Sequence, residues 1–226
     1  KHDFKYLFKN RPWFVLMLVG VVSFIMFAIQ NISATYYFKY FLDAESKSQI
    51  FNILGTVALI IAIPTTKPLV KKFGAKQLYI VCSLLSGLFF CLLYFAGQNF
   101  VLINVFNCLG KIAYAPAISL LWTMLADSAD YGEWKFQRRT TGLCLSAAVF
   151  AQKIGWSIGA ALFGAIMTAV HFDATMGLQQ IQNDSTIMTS IHWLFGILPG
   201  VLYASCAILL VFYNLDTKTM QQIKSE

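Results

Sequence analysis

Six apolar stretches, most of them near the length that crosses a bilayer, leave this 226-residue chain little choice of fold. A helix rises about 1.5 Å per residue, so roughly 20 apolar residues span the hydrocarbon. No water is available there to a backbone N–H or C=O, and a helix satisfies both internally. The expected helices cover about residues 12–37, 49–63, 78–96, 100–126, 141–170 and 191–213. The fold class read from this pattern is an all-α membrane protein with six transmembrane helices.

Local signals place the ends. Pro12 suits a helix start, because its missing N–H would be unpaired there anyway. Gln30 and Asn31 fall in the outer half of the first helix. Tyr36, Tyr37 and Tyr40 follow as an expected interfacial belt. Pro64 and Pro68 are expected to close the second helix, and Gly74 to make the turn after it. Gly97-Gln98-Asn99 is so short a link that the third and fourth helices must be antiparallel neighbours. Pro116 should kink the fourth. Thr140 and Thr141 are suited to cap the fifth, which carries Gly155-x-x-x-Gly159, a spacing that lets two helices approach closely. Pro199-Gly200 marks an expected bend in the sixth.

Composition agrees with a lipid solvent. The chain is 58% apolar and 12% charged, against about 45–50% and about 25% in a soluble domain. Its net charge of +7 would point to nucleic acid in a soluble protein. Here the cations sit in short loops, with no basic arm and no aromatic platform for bases, so no nucleic-acid partner is expected. Cys82, Cys91, Cys108, Cys144 and Cys206 all lie in apolar runs without a C-x-x-C pair, which excludes a metal or disulfide framework. The opening on Lys1, with charge running straight into the first helix, reads as a fragment of something longer, without a cleavable signal.

Charge sets an expected orientation. If the amino end is inside, the inner segments hold Lys1, Lys5, Lys9 and Arg11; Lys67, Lys71, Lys72 and Lys76; Lys135, Arg138 and Arg139; and Lys218 and Lys224. The outer loops hold Lys39 and Lys47. The positive-inside rule then puts both ends and the charged loop 127–140 in the cytoplasm.

That loop belongs to the stretch MLADSADYGEWKFQRRTTG, from Met124 to Gly142. Its ordered letters A-D-x-x-D-Y-G-E-W-K-x-x-R-R-T-T-G, followed by Phe150-Ala-Gln-Lys153, resemble one segment of the glycoside–pentoside–hexuronide cation symporters. In that family, which includes the bacterial melibiose permease and belongs to the major facilitator superfamily, the segment joins the tenth and eleventh membrane helices. The resemblance implies the carboxyl-terminal six-helix half of a major facilitator fold. It implies that Lys153 is the eleventh-helix lysine lining the sugar and cation cavity. It also implies that Asp127, Asp130, Glu133 and Arg139, with Arg138 beside them, form a cytoplasmic charge network holding the two halves closed. The family's pocket tryptophan falls at Ile118, one turn from Trp122. The coupling carboxylates and most sugar contacts belong to the amino-terminal half, which is absent from this chain.

Residue chemistry gives a partly independent reading. Lys111 and Lys153 lie near the midpoints of the fourth and fifth helices. A cation at that depth costs about 2.5–3.5 kcal/mol on insertion scales and needs a partner. Every acid is expected in a loop or tail, so the partner is another domain, a ligand, or water and hydroxyls. Tyr114, Ile118 and Trp122 share the Lys111 face at helical spacing; they either stack on a sugar ring or simply pack. Ser146 and Ser157 share the Lys153 face, and the other reading of Lys153 is a pin between helices. Gln30 and Asn31 serve sugar hydroxyls or helix contacts equally well. The other reading of the charged loop is a self-paired segment that only fixes topology.

The expected function is secondary active transport of a sugar or glycoside coupled to Na⁺, Li⁺ or H⁺ by alternating access, in a bacterial inner membrane. No cofactor is expected beyond the coupling cation. The partners are the sugar, the cation, the lipid bilayer and the other six-helix half. The alternatives are a self-associating six-helix channel or uncoupled carrier, and a membrane enzyme. The last is disfavoured because no acid, His cluster or Ser–His pair lies at membrane depth.

Overall fold

The computed structural model describes residues 8–137, 141–173 and 175–215. Six helical spans in it are long and apolar enough to cross a membrane: Arg11–Phe41, Ser46–Phe73, Ala75–Ala96, Phe100–Phe136, Thr141–Ala169 and Ser185–Val211. No strand occurs among the described residues.

Helix α1 (Arg11–Tyr36) starts at Asn10, whose side-chain oxygen accepts from Trp13 N at 3.3 Å. The Asn10 amide also donates to Ser128 O at 2.7 Å, so one side chain caps a helix and ties it to another. The helix runs on as a π turn, Tyr37–Phe41. There the expected interfacial tyrosines behave differently. Tyr37 is fully buried, stacked on Phe195 at 4.2 Å, and its hydroxyl donates to Gly97 O at 2.6 Å. Tyr40 is buried as well. These rings staple that end of the bundle through contacts within the protein.

The second span does not stop at its prolines. Helix α2 (Ser46–Ala62) tightens into a 3₁₀ turn at Ile63–Thr65 and continues as α3 (Thr66–Phe73). Pro64 falls in the tightened turn and Pro68 in the first turn of α3, where a missing N–H costs little. Gly74, at φ +78°, makes the turn into α4 (Ala75–Leu93).

Helix α5 (Phe100–Phe136), capped by Asn99, corrects the expected boundary at 126. It passes through the charged segment as regular helix and ends at Gln137, in the left-handed region at φ 52°. Charge alone does not break a helix, and Lys135 in the last turn suits the dipole. At about 55 Å its length exceeds the hydrocarbon, so the acidic turns project beyond it. Helix α6 (Thr141–Ala169) follows. The sixth span comprises α8 (Ser185–Phe195) and α9 (Ile197–Val211), preceded by the short α7 (Leu178–Asn183). The break falls at Gly196, three residues before Pro199, whose missing N–H and ring disturb the turn that precedes it. A Cβ on Gly196 would stand 2.8 Å from Tyr94 N, whereas Pro199 lies in the first turn of α9.

In the bundle α1 packs against α6 and α9, α9 against α4, α4 against α5, and α5 against α2. The first span is 61% buried, the second 17% and the fifth 22%, so α2 and α6 lie at the margins. Small residues set the tightest crossing. A Cβ on Gly155 would stand 2.7 Å from Val21 O, and one on Gly159 2.6 Å from Ile25 O. The spacing read from sequence is thus a backbone-to-backbone contact of α6 with α1.

Gly159→Leu is expected to cost at least about 1–3 kcal/mol by forcing α6 off α1. The check is a lowered melting temperature in detergent. Gly164→Ala, into open space, should leave it unchanged.

Candidate functional site

A cavity of about 310 Å³ opens between α1, α2, α5 and α6. Helix α5 gives it Lys111, Tyr114, Ile118 and Trp122, one face at helical spacing. Ser23, Phe24 and Phe27 come from α1, Thr56 and Leu59 from α2, and Gln152 and Trp156 from α6. Phe27 and Trp156 meet edge to face at 5.5 Å across the α1–α6 crossing. The wall is aromatic with a few polar points, a surface suited to a small ring that has one apolar face and several hydroxyls.

Lys111 is the cavity's charge. It is 9% exposed, and its Nζ donates to Gln30 Oε1 at 3.0 Å. The ammonium also lies 4.7 Å from the Phe27 ring centre and 5.7 Å from that of Phe90. A partner within the chain was not expected from sequence; an amide and two aromatic faces fill that role. Gln30 is buried behind Lys111 and does not line the cavity, and its Nε2 has no hydrogen-bond partner. Asn31 does not line it either: it donates to Phe27 O of its own helix at 2.7 Å.

Lys153 is exposed on α6, beside Gln152. Its carbonyl accepts from Ser157 Oγ at 3.0 Å, and its Nζ has no hydrogen bond or ion pair among the described residues. It therefore does not pin two helices within this chain. The structure brings Lys111, Tyr114 and Trp122 into one cavity and leaves Gln30, Asn31 and Lys153 off its wall. Gln152 and Trp156 were missed by sequence reasoning. Their four-residue spacing on the helix of Lys153 was the available signal.

At the other end of α5, Asp127 and Glu133 are half-buried and Asp130 is exposed. Asp130 and Glu133 make no ion pair among the described residues. Tyr213 lies near Asp127: burial, and then that carboxylate's charge, push its phenol up from the ordinary range. Lys76 donates to Val211 O at 3.2 Å and Tyr213 O at 2.6 Å, satisfying carbonyls at the end of α9. Arg138 and Arg139 lie outside the described residues.

Residues 2–217 match the family described as MFS/sugar transport protein. The chain belongs to this family. It is 28% identical to the isoprimeverose transporter of Lactiplantibacillus pentosus, over 96% of this chain and 44% of that protein. It is 27% identical to a candidate glycoside/cation symporter of Escherichia coli, over 99% and 48%. An inner membrane symporter of the same organism is 24% identical, over 100% and 49%. The chain spans about half the length of these curated relatives. It is a multi-pass membrane protein of a transporter family, and not an enzyme.

Gln30→Leu should strand the Lys111 ammonium and cost about 1.5–3 kcal/mol. Gln30→Glu should preserve stability by supplying a counter-charge. Thermal melts in detergent check both; a Gln30→Leu variant as stable as the parent would contradict the pairing.

Proposed function

We propose that this member of the MFS/sugar transport family is the carboxyl-terminal half of a carrier that moves a sugar or glycoside together with a monovalent cation. The observation that carries the reading is the aromatic cavity at mid-span, with Lys111, Tyr114, Trp122 and Trp156 on walls from three helices. Its neighbours α2 and α6 are the least buried spans, which leaves their outer surfaces for an amino-terminal half. Substrate and Na⁺, Li⁺ or H⁺ would bind between the halves, and rocking would expose them to each side in turn.

Two sets of residues have proposed roles beyond the cavity. Lys153, one residue from Gln152, reaches towards the interface and answers a carboxylate or ligand there. Asp127, Asp130 and Glu133, with Arg138 and Arg139 beyond them, pair with basic and acidic groups of the other half. Each such pair is worth little alone, so the set breaks as the halves separate. The proposed setting is a bacterial inner membrane with both ends of the chain in the cytoplasm, where the basic segments collect. The named relatives include a candidate glycoside/cation symporter and an isoprimeverose transporter, which supports a sugar or glycoside cargo.

In the full-length carrier, Lys153→Ala should reduce cation-driven uptake at least about tenfold with expression intact. Unchanged uptake would make the lysine dispensable. Asp127→Asn and Arg139→Ala should slow turnover more than they change equilibrium sugar affinity. Lost affinity at normal turnover would overturn the gate.

A further inference from the structure

We propose that Lys111 is an anion-selecting residue, and that the cargo is a sugar bearing a fixed negative charge such as a carboxylate or sulfonate. The inference rests on the carrier reading above and specifies which sugar that cavity takes.

Donors and acceptors are unevenly matched around one buried cation. Lys111 has three N–H donors, and a single hydrogen bond, to Gln30 Oε1 at 3.0 Å, is made among the described residues. Gln30 presents its oxygen to the ammonium, which leaves its own Nε2 buried and without an acceptor. Trp122 and Trp156, on the same cavity wall, bring indole N–H groups that can only donate. Among the described residues no Asp or Glu lines the cavity. Thr56 uses its hydroxyl proton on Asn52 O of its own helix. Ser23 and Gln152 bring donors and acceptors alike, so on the wall this chain supplies the surplus is of donors, around a positive charge 9% exposed and facing a space of about 310 Å³.

A neutral sugar answers this poorly. Its hydroxyls can accept, yet each also brings a proton that needs an acceptor, and it leaves the ammonium without a counter-charge. A carboxylate or sulfonate accepts only and neutralises the cation. The rings of Phe27 and Phe90 stabilise the ammonium when the site is empty, at 4.7 and 5.7 Å, without competing as hydrogen-bond acceptors would. Gln30 is a positioning residue: its oxygen fixes where Nζ sits and leaves the other two N–H groups for the ligand.

The test uses the full-length carrier in proteoliposomes, with three matched probes: a neutral pyranoside, its C6-carboxylate and its C6-sulfonate. The expected result is preferential binding of at least one anionic probe, with Lys111→Gln weakening it by at least about tenfold while the neutral probe changes little. Lys111→Arg should retain part of the preference. A carboxylate-only or sulfonate-only response would identify the anion, and either supports the proposal. Equal binding of all three probes by the parent would overturn it while leaving the sugar-carrier reading intact. So would an equal loss for all three in a Lys111→Gln variant that remains monodisperse in detergent, because the lysine would then serve a carboxylate of the other half. Failure of the parent to bind or move any sugar would overturn both.

Discussion

Apolar helices in hydrocarbon gain almost nothing from merely hiding oil, so their mutual position depends on how closely two backbones can come. Here the decisive approach is α6 on α1 at Gly155 and Gly159, where a single added carbon would meet main-chain oxygen. The residue after Gly155 is Trp156, held edge-on against Phe27 at 5.5 Å. The glycine contact thus fixes the distance between two walls of the cavity. On the other side of the bundle α9 meets α4 by the same device, with Gly87 facing Gly200 O. Helix α1 contacts both flanks, and its burial follows from that place.

The second demand of the medium is polar satisfaction, and most polar side chains meet it locally. Asn31, Thr56, Asn104, Ser128 and Ser205 each return a hydrogen bond to a carbonyl three or four residues back. Asn107 instead crosses to Phe51 O on α2 at 2.8 Å, beside Gly55. Lys111 is different in kind, since no local carbonyl arrangement neutralises a cation. It is held by an amide from α1 and by rings from α1 and α4. A buried charge fixed by three helices resists rotation of any one of them, which keeps the α5 face aimed at the cavity.

Much of this was legible in the sequence, and the parts that were not share a cause. The six spans follow from run length. The cavity face of α5 follows from the 111, 114, 118, 122 spacing, and the α1–α6 contact from the glycine pair. What periodicity cannot supply is the partner across a packing interface. Gln30 reads as one polar residue in an apolar run, and only the fold sets it against Lys111, 81 positions away. Tyr37 reads as an interfacial residue, yet a π turn rotates it inward onto Phe195. A run of charge reads as a loop, yet α5 continues through it as regular helix to Phe136, because charge marks where a helix leaves hydrocarbon and not where it ends. The last span breaks three residues before Pro199, at Gly196, where the neighbouring Tyr94 leaves no room for a side chain.

The continuity of α5 has a mechanical consequence for the proposed carrier. From Lys111 to Glu133 the helix is unbroken, a distance of about 33 Å. Its inner face carries the cavity residues, and its far end carries Asp127, Asp130 and Glu133. Had the charged segment been a loop, an event at the cavity would have dissipated in soft backbone before reaching the acids. As one rod, a small tilt at Lys111 becomes a larger displacement of the acidic turns. Pro116 removes one backbone hydrogen bond between the two regions and so offers a single place for the rod to bend. Asn10, bonded to Ser128 O and lying against Gly132, ties the projecting end of α5 to the start of α1. Motion of the acids must therefore carry the beginning of α1 along, and with it the α1 wall of the same cavity.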